Sequence, residues 1–259
     1  MAQKPNAHPQ LLPADGDHPS LPSKAYEKAL VPLQRLMRSI SLSYFRQGLN
    51  AVIVIEGSDA AGKGGAIRRM TAELDPRHYD VWPIGPPTPD ELRHHYMWRF
   101  WQRLPEHGLI GVFDRSWYGR VLVERVDALT SETRWRAAYD EINAFETSLI
   151  DDGTRLVKIY LHVSAEEQRN RLAERVKDPH KNWKVSAADF RNNLQRDAYV
   201  EATAEMLGRT STPAAPWNVI AADDKRHTRI AVLEAVTEAL SVDVDLTPRP
   251  LDDETLRLA

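Results

Sequence analysis

At 259 residues the chain is long enough for one large domain or two small ones, and its make-up, 42% apolar and 27% charged with net charge −3, is that of a soluble globular protein. The mild acidity argues against a surface built for nucleic acid, and the absence of cysteine excludes disulfides, thiolate nucleophiles and cysteine-bound zinc. No apolar run approaches a membrane span and the start lacks a charged-then-apolar leader pattern, so a cytoplasmic protein without a membrane partner is expected.

Residues 1–23 are rich in proline with little apolar periodicity and read as a mobile arm. From Lys24 to Gln47 apolar side chains recur at helical spacing (Tyr26, Leu30, Leu33, Leu36, Met37, Ile40, Tyr44), and Pro32 is expected to interrupt or restart that helix. The β-branched run Ala51–Ile55 reads as a buried strand, and Ala66–Met70 as the first turns of a helix. Between them lies Gly57-Ser58-Asp59-Ala60-Ala61-Gly62-Lys63-Gly64-Gly65. A G-x-x-x-x-G-K motif between strand and helix means phosphate binding. Its glycines let successive N–H groups converge on an anion, the helix dipole adds positive character, and Lys63 adds a full charge. The usual Ser or Thr after the lysine, a Mg²⁺ ligand, is replaced by Gly64. Asp59 would repel a phosphate unless a cation sat between them, which makes it the first candidate to hold that metal.

Asp75-Pro76 is expected to end the helix, Tyr79–Ile84 to form a second strand, and a proline-rich loop to lead into an aromatic helical stretch (Tyr96, Trp98, Phe100, Trp101) that reads as core. The adjacent His94 and His95 lack the spacing for shared metal coordination. Leu109–Asp114 is an apolar strand ending in a carboxylate, the Walker B pattern, which sets Asp114 beside the phosphates as a second metal residue. Arg115 and Arg120 follow where phosphate oxygens should lie. Val121–Val126 and Trp135–Ile150 read as helices and Leu156–Val163 as a strand; Ser164 with Glu167 reads as a capping box, and Ser186 caps a further helix. From Ala165 to Ala198 eight Lys or Arg face six Asp or Glu, so this hairpin, about residues 165–206, reads as a basic lid closing over phosphates. Pro216–Ala222 is a last strand, Asp224 starts a helix to about Leu240, and residues 241–259 form a loosely packed tail. Alternating strands and helices imply one α/β domain, residues 24–240, with a parallel sheet covered on both faces.

These segments resemble the second family of polyphosphate kinases over roughly Leu30 to Leu240. The resemblance rests on the stretch from Gly57 to Arg69, the stretch from Phe113 to Val126, the lid residues Asp178 to Lys184, and Ala215-Pro216-Trp217 with Asp224-Lys225-Arg226. It implies a three-layer fold of the P-loop kinase type, and phosphoryl transfer between inorganic polyphosphate and an adenine or guanine nucleotide, with Mg²⁺ or in its place Mn²⁺. It implies that Asp59 and Asp114 hold the metal and that Lys63, Arg68, Arg115 and Arg120 contact phosphates, with Lys181 and Lys184 steering the polyanion. The stretch from Asp114 to Val126 looks most like the branch that phosphorylates AMP, often a tandem duplication, whereas this chain carries one unit. Family members commonly form dimers or tetramers. The alternatives are the nucleoside diphosphate branch, an ATP-dependent nucleoside monophosphate kinase, and a nucleotide sensor without turnover.

Overall fold

The computed structural model describes residues 12–13, 18–180, 182–184, 187–250 and 253–258. Five strands, β1 (Ala51–Gly57), β2 (Tyr79–Pro83), β3 (Ile110–Asp114), β4 (Arg155–His162) and β5 (Trp217–Ala221), form one sheet in the order β2-β3-β1-β4-β5. Every pairing is parallel, so each strand hands its chain to the same edge. β1 and β4 are buried on both sides, as the centre of a covered sheet requires. Side chains alternate between the faces. Ile53, Ile55, Ile159 and Leu161 join one cluster, and Val52, Val54 and Tyr160 the other.

Helices α1 (Ser23–Gln47), α2 (Lys63–Met70) and α9 (Lys225–Ser241) cover the first face. Helices α5 (Glu132–Asp151) and α8 (Arg196–Thr210) cover the second, with the single-turn α3 (Trp98–Trp101) and α4 (Val123–Val126) beside them. Between β4 and β5 the chain makes α6 (Ala165–Lys177), a turn at Asn182–Lys184, α7 (Ala187–Leu194) and then α8. A short α10 (Asp253–Leu258) follows α9.

Several local expectations are corrected. Pro32 does not interrupt the first helix, which runs unbroken from Ser23 to Gln47. Both Pro32 and Lys28, whose carbonyl loses its donor, are exposed, so water takes the orphaned acceptor. Leu36 of the expected apolar stripe is 36% exposed, whereas Met37, Ile40 and Tyr44 are fully buried. Helix α2 stops at Met70, ahead of Asp75-Pro76, where the Thr71 N–H closes onto the Ile67 carbonyl. Trp101 is half-exposed rather than core. Residues 121–126 give only one helical turn. The expected capping box is half made. Ser164 Oγ accepts from the Glu167 N–H at 3.2 Å, but the Ser164 N–H donates to Asp223 and the Glu167 carboxylate pairs with Arg171. Ser186 lies outside the described residues. The end of the arm is packed, since His18 is buried with Nδ1 3.3 Å from Asp223 and its ring stacks on His162. In the tail, Arg46 and Gln47 donate to the carbonyls of Thr247 and Asp245.

Candidate active site

The loop after β1 is shaped by three unusual backbone angles. Gly57 has φ 142°, and a Cβ there would sit 2.5 Å from the Leu161 carbonyl oxygen, so close packing of β1 on β4 requires glycine. Ala60 at φ 63° and Gly62 at φ 110° turn the chain back towards α2. Lys63 opens that helix, and its Nζ donates to the carbonyls of Gly57 at 2.6 Å and Ser58 at 3.2 Å. Burial, followed by Arg115, pushes its ammonium down, with Asp59, Asp114 and Glu56 opposing.

The Asp59 side chain is 8% exposed and forms an ion pair with Arg115. Its second oxygen accepts from Asn192 Nδ2 at 2.8 Å. Burial raises the carboxyl, but Lys63, Arg115, Asn192 and Arg175 outweigh it and hold Asp59 below the usual aspartate range. Asp114 ends β3 in register with Ile55, which leads into the loop, and with Pro83. Arg115 follows at φ 66°, a left-handed angle that costs a non-glycine residue about 1–2 kcal/mol. That angle turns its guanidinium back over the loop, while its N–H stays bonded to the Ile55 carbonyl.

The carbonyl side of the loop is held from behind. Arg171, 4% exposed, donates to the carbonyls of Ala60 and Ala61 and to those of Ala222 and Asp223 after β5. Gln168 Nε2 donates to the Asp59 carbonyl at 3.0 Å, and Arg196 fixes Gln168 through its Oε1 at 2.7 Å.

A cleft opens on each side of this loop. The first, about 740 Å³, has Glu56, Gly57, Ser58, Asp59 and Arg115 as its floor, with walls from Gly119, Leu122 and Val123 and one face of α8. The second, about 980 Å³, meets Ala60, Ala61, Gly62 and Gly65 and is walled by Arg171, Arg175, Lys225 and Arg229, against one acid, Glu174.

A family model for polyphosphate kinase 2 matches residues 20–246. The chain belongs to the polyphosphate kinase 2 family. It is 50% identical over 189 residues to a polyphosphate:AMP phosphotransferase of Pseudomonas syringae pv. tomato, a match covering 73% of this chain and 38% of the relative. It is 36% identical over 227 residues to an ADP-polyphosphate phosphotransferase of Rhodopseudomonas palustris, covering 83% of this chain and 78% of that one. The crystal structure of polyphosphate kinase 2 from Arthrobacter aurescens TC1 superposes with TM-score 0.85 at 31% identity, over 92% of this chain and 87% of that one. The chain spans less than half the length of the polyphosphate:AMP phosphotransferases it matches. The P-loop kinase-like fold expected from the sequence is the fold found.

In this polyphosphate kinase 2 chain Asp59, Lys63, Asp114 and Arg115 come together as expected, as do the backbones of Gly57, Ser58, Ala60, Ala61, Gly62, Gly64 and Gly65. Arg120 and Arg68 are placed elsewhere. Arg120 pairs with Glu124 at 2.7 Å and lies over the Tyr96 ring, outside the lining of either cleft, and Arg68 points to solvent from α2. Lys181 and the side chain of Lys184 lie outside the described residues. Sequence reasoning missed Glu56, which is 3% exposed and accepts from Ser116 Oγ at 2.7 Å. Burial raises its carboxyl, against the pull of Ser116, Lys63 and Arg115. Its signal was a carboxylate directly abutting an apolar strand. Arg171 and Gln168 gave no such signal, because their partners are backbone carbonyls distant in sequence.

Proposed function

We propose that this chain transfers a phosphoryl group from inorganic polyphosphate to a nucleotide, with AMP converted to ADP. One observation carries the reading: a single phosphate loop lies between a cleft walled by Arg171, Arg175, Lys225 and Arg229 and a cleft in which Leu122, Val123 and Val200 stand among hydrogen-bonding side chains such as Asn192, Tyr199 and Thr203. The first suits an extended polyanion and the second a nucleoside, so donor and acceptor meet at the loop from opposite sides. The higher identity to relatives named for AMP, 43–50%, than to one named for ADP, 36%, favours AMP as acceptor.

In the transfer an oxygen of the acceptor phosphate attacks the terminal phosphorus of polyphosphate in line, and the bond to the bridging oxygen breaks, leaving a chain one unit shorter. No covalent protein nucleophile is needed once positions and charges are set. Lys63 leaves the carbonyls of Gly57 and Ser58 for phosphate oxygens, and Arg115 exchanges Asp59 for phosphate. Among the described residues no group of three or more acidic or histidine side chains converges. That suits Mg²⁺, which takes one or two carboxylates and fills its shell with phosphate oxygens and water. Asp59 is buried, ionised and in the loop, and Asp114 ends the neighbouring strand, so these two fit the role, with Mn²⁺ as a substitute. When bound, the ion screens the two polyanions from each other. Residues 165–206 act as the lid, Lys181 and Lys184 steer the polyphosphate, and the protein works as a cytoplasmic homo-oligomer.

The test is a product assay with long-chain polyphosphate, Mg²⁺ and AMP, ADP, GMP or GDP offered separately. ADP from AMP with little ATP from ADP is expected; ATP from ADP without AMP use would move the chain to the diphosphate branch. Product with ATP but none with polyphosphate as donor would overturn the reading. Asp59→Asn and Asp114→Asn are each expected to abolish turnover while the fold persists, and near-normal rates in either would remove the metal role.

A further inference from the structure

Asp59 lies on the phosphate loop, yet much of what holds it comes from the hairpin between β4 and β5. Asn192 of α7 donates from Nδ2 to one carboxylate oxygen, Oδ2, at 2.8 Å. Gln168 of α6 donates to the Asp59 backbone carbonyl at 3.0 Å. Gln168 is fixed in turn through its Oε1, which accepts from Arg196 of α8 at 2.7 Å and from Asn193 of α7 at 3.3 Å. Arg196 also donates to the Val163 carbonyl, just after β4, at 2.8 Å. All three helices of the hairpin thus close on one loop residue.

The two oxygens of Asp59 have unlike partners. Oδ1 pairs with Arg115, whose side chain is 47% exposed, and Oδ2 with a neutral amide carried by the hairpin. An arriving polyanion draws a guanidinium far more strongly than an amide, so Oδ1 is released first while Oδ2 stays bonded. A carboxylate held in this way offers one oxygen and not two. The difference matters between cations. Mg²⁺ demands a near-ideal octahedral shell, whereas Ca²⁺ also accepts both oxygens of one carboxylate. Two-oxygen binding at Asp59 would have to break the bond from Asn192.

We infer that Asn192 is a positioning residue: its amide clasps Oδ2 of Asp59, leaves the other oxygen alone for a small octahedral cation, and makes that selection hold only while the hairpin sits on the loop. The clasp stands on contacts in the structure, and its effect on cations rests on the metal role given to Asp59 above.

The experiment uses the whole chain without nucleotide or polyphosphate, as wild type, Asn192→Leu, Asp59→Ala and the double variant. Leucine matches asparagine closely in size and donates nothing. The first measurement is the rate of tryptic cleavage within residues 177–191 of the hairpin. Asn192→Leu is expected to speed it about 3- to 10-fold, and to add nothing once Asp59→Ala has removed the other end of the clasp. Unchanged cleavage in Asn192→Leu, or a further gain in the double variant, would overturn the inference.

The second measurement follows bound Mn²⁺ by paramagnetic resonance as Mg²⁺ or Ca²⁺ displaces it. Asn192→Leu is expected to shift the preference about 10-fold towards Ca²⁺, because a hydrogen bond to a charged group no longer opposes two-oxygen binding. An unchanged preference beside faster cleavage would overturn the positioning role. Mn²⁺ binding that survives Asp59→Ala undiminished, or is absent from wild type, would defeat the metal reading instead, and the cleavage rates would still decide the clasp.

Discussion

The two faces of the sheet are filled in different ways. The face under α1, α2 and α9 is aliphatic, and among the described residues Tyr44 is its one fully buried aromatic. The face under α5 and α8 holds Phe113, Trp117, Tyr118, Tyr139, Phe145 and Trp217, and among them a buried ion pair. Lys158 of β4, with no exposed side-chain area, donates to Glu146 at 2.7 Å and to the Thr210 carbonyl at 2.6 Å. Glu146 in turn accepts from Trp117 Nε1 at 3.0 Å and the Tyr118 hydroxyl at 2.6 Å. Trp117 and Tyr118 follow directly on Asp114, Arg115 and Ser116, so this network anchors the turn that aims Arg115 over the loop. The aliphatic face only has to exclude water. The other must also fix directions, and hydrogen bonds are directional where dispersion is not.

That contrast can be broken most severely at Glu146. Glu146→Ala leaves Lys158 buried without its counter-charge, and a loss of about 3–5 kcal/mol is expected in urea unfolding, together with a fall in turnover. Combining Glu146→Leu with Lys158→Met should return most of the stability but not the turnover, because an apolar pair cannot orient the 117–118 turn. If the double variant recovered full rate, the network would be packing alone. On the opposite face Ile53→Val, which removes one buried methylene, should cost only about 0.5–1.5 kcal/mol and leave turnover unchanged. A large rate change there would erase the division of labour between the faces.

The finest effect is a slope. Glu56 also points from β1 towards the aromatic side, to Ser116, and burial raises its carboxyl above the ordinary value of 4.5, with Ser116, Lys63 and Arg115 opposing and Asp114 adding to it. A raised carboxyl holds its proton longer in the folded state, so its contribution is full below pH 4.5 and is lost as pH rises through the folded value. Glu56→Gln should therefore gain stability relative to wild type as the pH is raised from 4.5 towards neutral. Parallel curves for the two proteins would mean that Glu56 is not held in this way.

The phosphate loop, the strand ending in Asp114 and all five strands were legible because each depends on neighbours in sequence: an apolar run, a glycine pattern, a terminal carboxylate. Pro32 misled because its penalty depends on whether the freed carbonyl is wet, and that is decided by how α1 packs. Lys158 sat inside an apolar run, which marked it as buried without revealing Glu146 as its partner. Glu56 and Arg171 acquire their roles only through contacts across tens of residues, and periodicity carries no information about those.

The pairing of Asp59 with Arg115, and of Lys63 with the loop's own carbonyls, bears on ionic strength. Cations already matched inside the protein hold few condensed anions to release. Polyanion affinity should then fall with added salt according to the cations of the outer cleft, Arg175 and Arg229, rather than the full set that finally touches phosphate. Polyanion binding would thus fall with added salt less steeply than a count of phosphate contacts suggests.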